Sequence, residues 1–208
     1  MQSMAQTTKK RSATAAPVRG SGGWLSRTDW IRAGQELLCE EGIAGMRLIK
    51  LTKRLKVSTG SFYHHFVDME DYLAALADFY KTEQVARMVE ELKKTVSDPR
   101  GRIRQLAVYS HKTGMFRLDA AMRVWAASDE RAANALRASE VIVIDFMTEA
   151  FIDAGFTRLE ASLRATILLS VQVVRLLTSG YASRSRDLSQ ETLSLLLSTA
   201  RSRTNQKA

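Results

Sequence analysis

The chain has 208 residues, 45% of them hydrophobic, with 31 Lys+Arg against 22 Asp+Glu and a formal charge of +9. That apolar content excludes wholesale disorder, and two prolines and eleven glycines are too few breakers for a many-turned β-fold. The basic balance points to a polyanionic partner, either nucleic acid or an acidic membrane surface, and the single cysteine, Cys39, excludes an internal disulfide and fits a reducing, cytoplasmic setting.

Residues 1–23 form a tail rich in Ser, Thr, Ala and Gly whose charges are Lys9, Lys10, Arg11 and Arg19, with no acid among them. So little apolar surface does not fold alone, so the tail reads either as a disordered leader or as a basic arm that follows DNA. No apolar core follows it as in a signal peptide. A helical pattern begins at Trp24. Trp30, Ala33, Gly34, Leu37 and Leu38 share one face of a first helix, with Thr28 as the expected N-cap and Gly42 as the stop. Leu48, Leu51 and Leu55 mark a short second helix. Val57, Phe62 and Phe66 mark a third, capped by Ser58. Asp68 caps a long fourth helix that carries Leu73, Leu76, Tyr80, Val85, Val89, Leu92 and Val96 and ends at the turn Ser97–Gly101.

A fifth helix carries Ile103, Leu106, Ala107 and Ser110 and loses its pattern near Gly114; a short sixth spans Ala121–Ala127. A long seventh runs from Ala132 to Ala154 and is closed by Gly155. Thr157-Arg158-Leu159-Glu160 has the capping-box form and opens an eighth that runs to about Gly180. Tyr181–Asp187 reads as a polar loop before a ninth helix with Leu193, Leu196, Leu197 and Ala200. No apolar run reaches the roughly 20 residues that span a bilayer; the richest, Ile167–Leu177, is broken by Ser170, Gln172 and Arg175. The expectation is an all-α chain of about nine helices: a tail (1–23), a three-helix DNA-binding domain (24–68) and a helical regulatory and dimerisation domain (69–208).

Between Gly42 and Val67 there is no Asp or Glu, whereas Arg47, Lys50, Lys53, Arg54 and Lys56 are all present. Two short helices carrying so one-sided a charge form a phosphate-attracting surface with helix-turn-helix geometry. The stretch Trp24–Leu73 resembles the DNA-binding domain of the tetracycline-repressor (TetR-type) family. The resemblance rests on Glu41-Gly42-Ile43, on Leu51, Leu55, Val57 and Ser58 around the turn, and above all on Gly60-Ser61-Phe62-Tyr63-His64-His65-Phe66 followed by Glu70 and Leu73. Arg123-Val124-Trp125-Ala126 also looks like a pattern common in that family's sixth helix.

The resemblance implies a homodimeric, ligand-responsive regulator, most simply a repressor, that pairs through its eighth and ninth helices (Leu169, Val173, Leu176, Leu193 and Leu197) and binds a near-palindromic double-stranded operator. It implies base contacts from Thr59 and Ser61, a phosphate contact from Tyr63 with His64 beside it, and inward-facing Phe62 and Phe66. Small polar Ser58, Thr59, Gly60 and Ser61 at a helix N-terminus suit close approach to a groove. The DNA-binding set is thus Arg47, Lys50, Lys56, Ser58, Thr59, Gly60, Ser61, Tyr63 and His64. Three departures stand out: Lys56 occupies a turn position where the family usually has Gly, Met69 stands where it often has Lys, and Gly34 and Thr52 replace its usual alanines.

Elsewhere, Met115, Phe116, Met122, Trp125, Phe146 and Phe151 are either plain core or the lining of an effector cavity. His64 and His65 diverge by about 100° on a helix and cannot chelate one metal; His111 and Cys39 read as packing residues. Asp145, Glu149 and Asp153, at helical spacing, read as a solvated stripe more readily than as a carboxylate site. No phosphate-cradling loop, metal-ligand spacing or nucleophile motif appears, so neither enzymatic activity nor a cofactor is expected. The competing reading is a basic helical protein that binds acidic membrane or a protein partner without an operator.

Overall fold

A computed structural model describes residues 25–177 and 185–198. Its helices are α1 (Arg27–Glu41), α2 (Leu48–Leu55), α3 (Thr59–Tyr63), α4 (Met69–Phe79), α5 (Arg87–Thr95), α6 (Pro99–Lys112), α7 (Met115–Ala126), α8 (Glu130–Asp153), α9 (Arg158–Leu177) and α10 (Ser185–Leu197). A 3₁₀ turn spans Ile43–Gly45, and a π-helical segment, Tyr80–Ala86, joins α4 to α5. Taking α4, that segment and α5 as the one long helix expected there, the described residues form nine α-helical runs and no strand. None of these helices is long and apolar enough to cross a membrane.

Several boundaries differ from expectation for local reasons. Ser26, not Thr28, caps α1: Asp29 lies three residues on, its carboxylate accepts from the Ser26 N–H at 2.8 Å, and Ser26 Oγ accepts from the Asp29 N–H at 3.2 Å. Thr28 has no such partner at that spacing. The turn expected at Ser97–Gly101 is shorter, because Pro99 begins α6; proline's missing N–H is harmless in a first turn. The sixth helix starts at Met115, directly after Gly114 at φ 72°, and so is longer than the expected Ala121–Ala127. Ser185–Asp187, expected in a loop, already belong to α10. The Asp68 cap and the Thr157/Glu160 capping box form as expected, with 2.8 Å from the Asp71 N–H and 3.0 Å from the Thr157 N–H to their carboxylates. The tail 1–23, Trp24, Ala200 and the side chain of Leu176 lie outside the described residues.

Two apolar clusters hold the fold. The first joins Trp30, Leu37, Leu51, Phe62, Phe66 and Tyr72 to Met115, Met122, Trp125 and Leu136, so it takes residues from both sides of residue 68. The second joins Met88, Leu92 and Ile103 to Phe146, Phe151, Ala161, Leu168 and Leu197. Ile142 and Val143 of α8 touch both. Leu169, Leu193 and Leu197, expected at a dimer interface, pack against the second cluster within one chain. The outward face of α9 carries Leu159, Leu163, Ile167 and Val174 instead, all exposed at helical spacing.

Candidate nucleic-acid interface

The helix-turn-helix is held from beneath by aromatic packing. Phe62 is fully buried, meets Trp30 edge-on at 5.4 Å and stacks on Phe66 at 5.2 Å; Tyr72 abuts Phe66 at 4.9 Å. Such pairs add about 0.5–1.5 kcal/mol each beyond their burial. The Tyr72 hydroxyl donates to the Trp30 carbonyl at 2.9 Å, across 42 residues of chain. Arg27 clamps the corner after α3: its guanidinium donates to the His65 carbonyl, lies 4.3 Å from the Phe66 ring centre and pairs with Asp71 at 3.5 Å. Gly34 makes room for the Tyr72 hydroxyl, which would lie 1.8 Å from a Cβ there; neither this fit nor the Arg27 clamp is visible in sequence, because their partners lie about 40 residues away.

The cations divide into two groups. Arg54 bonds Glu36 at 3.1 Å and also pairs with Glu40, and Lys50 pairs with Glu41. The Arg54 hydrogen bond holds the Glu40 carboxyl below the usual carboxylate range. These pairs dock α2 on α1, so Lys50, expected to seek phosphate, is committed to a carboxylate in the structure. Glu36 and Glu40 lie four residues apart on one face of α1, where both reach Arg54. Arg47, Lys53 and Lys56 remain exposed.

Beyond them, Ser58, Thr59 and Gly60 are exposed at the start of α3, Ser61 is half-buried, Tyr63 is 60% exposed and His64 is exposed. Ser58 holds the N-cap position, but its side chain makes no capping bond. A Cβ on Gly60 would meet only Ser58 Oγ, at 3.7 Å, so nothing among the described residues requires glycine there. α3 has only five residues, and His64 is its C-cap.

Lys56 closes α2 at φ 59°, ψ 44°, the left-handed region, and is the one non-glycine residue with positive φ among the described residues. This conformation costs an L-residue about 1–2 kcal/mol, and most for a β-branched side chain. Lys56→Gly is therefore expected to keep stability or raise it by up to about 1 kcal/mol, the relief being partly offset by unfolded-state entropy. Lys56→Val is expected to lose about 1–2 kcal/mol. Urea unfolding of the three proteins checks the order Gly, Lys, Val; a valine variant as stable as the parent would contradict it.

Polar ties link α4 and the π-helical segment to the helices that follow, and one of them reaches back to α1. Tyr80, in the π-helical segment, donates to Asp119 at 2.6 Å; Asp119 accepts from Arg123 at 2.9 Å, and Arg123 donates to Glu140 at 2.7 Å. From the same segment Gln84 donates to Gln35 of α1 at 3.1 Å. Arg131 at the start of α8 pairs with Glu70 of α4 at 2.5 Å and with Asp129 at 2.8 Å. The Arg131 hydrogen bond pulls the Asp129 carboxyl down to about 2.

The six residues considered for an effector cavity are not brought together. Met115, Met122 and Trp125 lie in the first cluster, Phe146 and Phe151 in the second, and Phe116 is half-buried. None lines either of two surface concavities. One, of about 360 Å³, lies between α7 and α8 at Arg123, Val124 and Leu136; the other, of about 350 Å³, lies between α4 and α8 at Ala77, Arg131 and Ala135. Glu149 and Asp153 pair with Lys93 at 2.7 Å and Arg102 at 2.9 Å, which makes part of the acidic stripe an inter-helix brace. Among the described residues no group of three or more His, Cys, Asp or Glu could hold a metal. Cys39 is half-buried, and burial pushes its thiol up. The side chain of His111 lies outside the described set.

Residues 31–76 match the model of bacterial regulatory proteins of the tetR family. The chain is 31% identical over 91 residues to the HTH-type transcriptional repressor NemR of Escherichia coli, 44% of this chain and 45% of that protein, so the match spans less than half the relative's length. In fold it is similar to reduced E. coli NemR, with TM-score 0.65 and 24% identity over 82% of this chain and 94% of the other. A TetR transcriptional regulator from Legionella pneumophila gives TM-score 0.68 at 11% identity, over 85% and 97% of the two chains. The regulator FadR of Bacillus subtilis, solved in complex with stearoyl-CoA, gives 0.59 at 20% identity, over 83% and 98%.

Proposed function

By its N-terminal helices this chain belongs to the TetR family of bacterial regulatory proteins, and from that premise we propose that it is a sequence-specific DNA-binding transcriptional repressor that acts as a homodimer. One observation carries the reading: the first turn of α3 exposes Ser58, Thr59 and Gly60 beside Lys53 and Lys56, while Phe62 anchors the same turn in the core. A recognition helix needs small polar groups at its leading end, cations for phosphate and a rigid seat. Gly60, which nothing among the described residues requires, leaves room for a groove edge.

Two copies pair through α9 and α10, with Leu159, Leu163 and Ile167 covered in the pair, and the two α3 helices then lie one DNA turn apart, about 34 Å, on a near-palindromic operator. A small apolar effector acts on the helical body. FadR, a protein of the same fold, holds stearoyl-CoA. Bound operator then weakens effector binding by the same factor as effector weakens operator binding.

The decisive test is selection of duplexes from a random pool, followed by competition with excess unselected DNA. A specific complex survives the competitor, whereas binding by net charge alone is lost in proportion, and that outcome would favour the operator-free alternative. On the selected duplex, Tyr63→Phe is expected to weaken binding about five-fold, equally for cognate and altered sites, as loss of one phosphate hydrogen bond of about 1 kcal/mol does. Thr59→Ala is expected to change which base is preferred, by about 1–3 kcal/mol. Unchanged affinity for Tyr63→Phe removes Tyr63 from the interface.

A further inference from the structure

Ile49, in the first turn of α2, is 68% exposed. Its neighbours Leu51 and Thr52 are buried and Leu48 and Leu55 half-buried, so α2 turns Ile49 away from the core. Lys53, four residues on, shares that outward face, and Lys56 follows at the C-cap; both are exposed. Lys50, the adjacent cation, is held by Glu41. The Thr52 hydroxyl donates to the Ile49 carbonyl at 3.1 Å, a further tie on the turn that carries the isoleucine.

A single exposed apolar side chain is ordinary on a protein surface. The setting of this one is not: it stands in a row with two cations, within a stretch, 42–67, that contains no carboxylate. Such a face fits a polyanion, and phosphate oxygens offer an isoleucine nothing. The apolar group that double-stranded DNA presents is the thymine 5-methyl in the major groove. A β-branched side chain on a helix has one strongly preferred rotamer, so it presents its methyls at little entropic cost.

Resting on the DNA-binding reading above, we propose that Ile49 is a specificity-determining residue that packs against the 5-methyl of one thymine in each half-site. α2 then contributes to sequence readout through Ile49 as well as to backbone contact through Lys53 and Lys56.

The test uses the full chain and a duplex selected by it from a random pool, with each thymine replaced singly by uracil, which removes only the methyl. The parent is expected to lose about four-fold in affinity at one thymine per half-site, the worth of one buried methyl. Ile49→Ala is expected to show no loss at that position while keeping the parent's response at every other; Ile49→Val keeps part of it. A uracil profile for Ile49→Ala identical to the parent's, or a parent indifferent to uracil throughout, overturns the assignment while leaving DNA binding intact. If no duplex is enriched over the input pool, the DNA-binding reading itself fails and the assignment falls with it.

Discussion

Gly34→Ala is expected to cost about 2–4 kcal/mol of folding stability, a large share of the roughly 5–15 kcal/mol that a domain of this kind has. A Cβ at Gly34 would lie 1.8 Å from the Tyr72 hydroxyl and 2.9 Å from its Cζ. The ring cannot swing aside, because Phe66 lies 4.9 Å from it on one edge and Phe62 5.6 Å on another, and Tyr72 is fully buried. Moving the hydroxyl also breaks its bond to the Trp30 carbonyl. Against these losses alanine gains only about 1 kcal/mol of helix propensity.

Tyr72→Phe in the same background removes the nearest clashing atom, so the double variant is expected to recover more than half of the loss. Thermal and urea unfolding of the four proteins measure the coupling. Additive effects would show that Gly34 matters for some reason other than Tyr72. The pH profile gives a second check. Burial raises the Tyr72 phenol well above its ordinary value of 10.0, so its contribution is complete below about pH 10 and is lost as pH climbs toward the raised value. Tyr72→Phe should reduce that alkaline loss; Tyr80, raised likewise by burial and then by Asp119, accounts for a further part.

Arg123→Ala is the second large effect, expected at about 3–5 kcal/mol. The Arg123 side chain is only 12% exposed and lies between Asp119 and Glu140, with side-chain exposures of 18% and 32%. Burial works against the guanidinium charge, yet the two carboxylates outweigh it and raise its pKa. Removing the guanidinium leaves two acids facing each other in a poorly solvated site, and the Tyr80 hydroxyl donating to one of them. Arg123→Ala/Glu140→Gln should therefore be more stable than Arg123→Ala alone, by more than about 1 kcal/mol. A double variant no better than the single would show that the pair is screened by water. Because Tyr80 belongs to the π-helical segment, which also reaches Gln35 through Gln84, the same substitution should loosen that segment's tie to α1. Faster amide exchange across residues 80–86 would report it.

The sequence by itself determined what depends on near neighbours. Helix faces were legible because apolar residues three and four apart must share a side, which is why Trp30, Leu37, Phe62 and Phe66 are buried as expected. The Asp68 cap and the Thr157/Glu160 box were legible because their bonds close within three residues. Lys56 stood out through the family resemblance, which places Gly at that turn because a positive φ suits it. Tertiary structure alone decided what depends on partners far along the chain. Lys50 and Arg54, indistinguishable in sequence from Lys53 and Lys56, are taken up by carboxylates 9 to 18 residues away on α1, and only the packing angle of α2 selects which cations remain exposed. The same holds for α9, where Leu169 turns inward and Ile167 outward although both belong to one apolar stretch. It holds too for Met115, Met122, Trp125, Phe146 and Phe151, all bulky and apolar, which divide between two clusters. Periodicity says that a helix has an apolar side; which neighbour that side meets is set by how the helices cross, and the crossing depends on the whole chain.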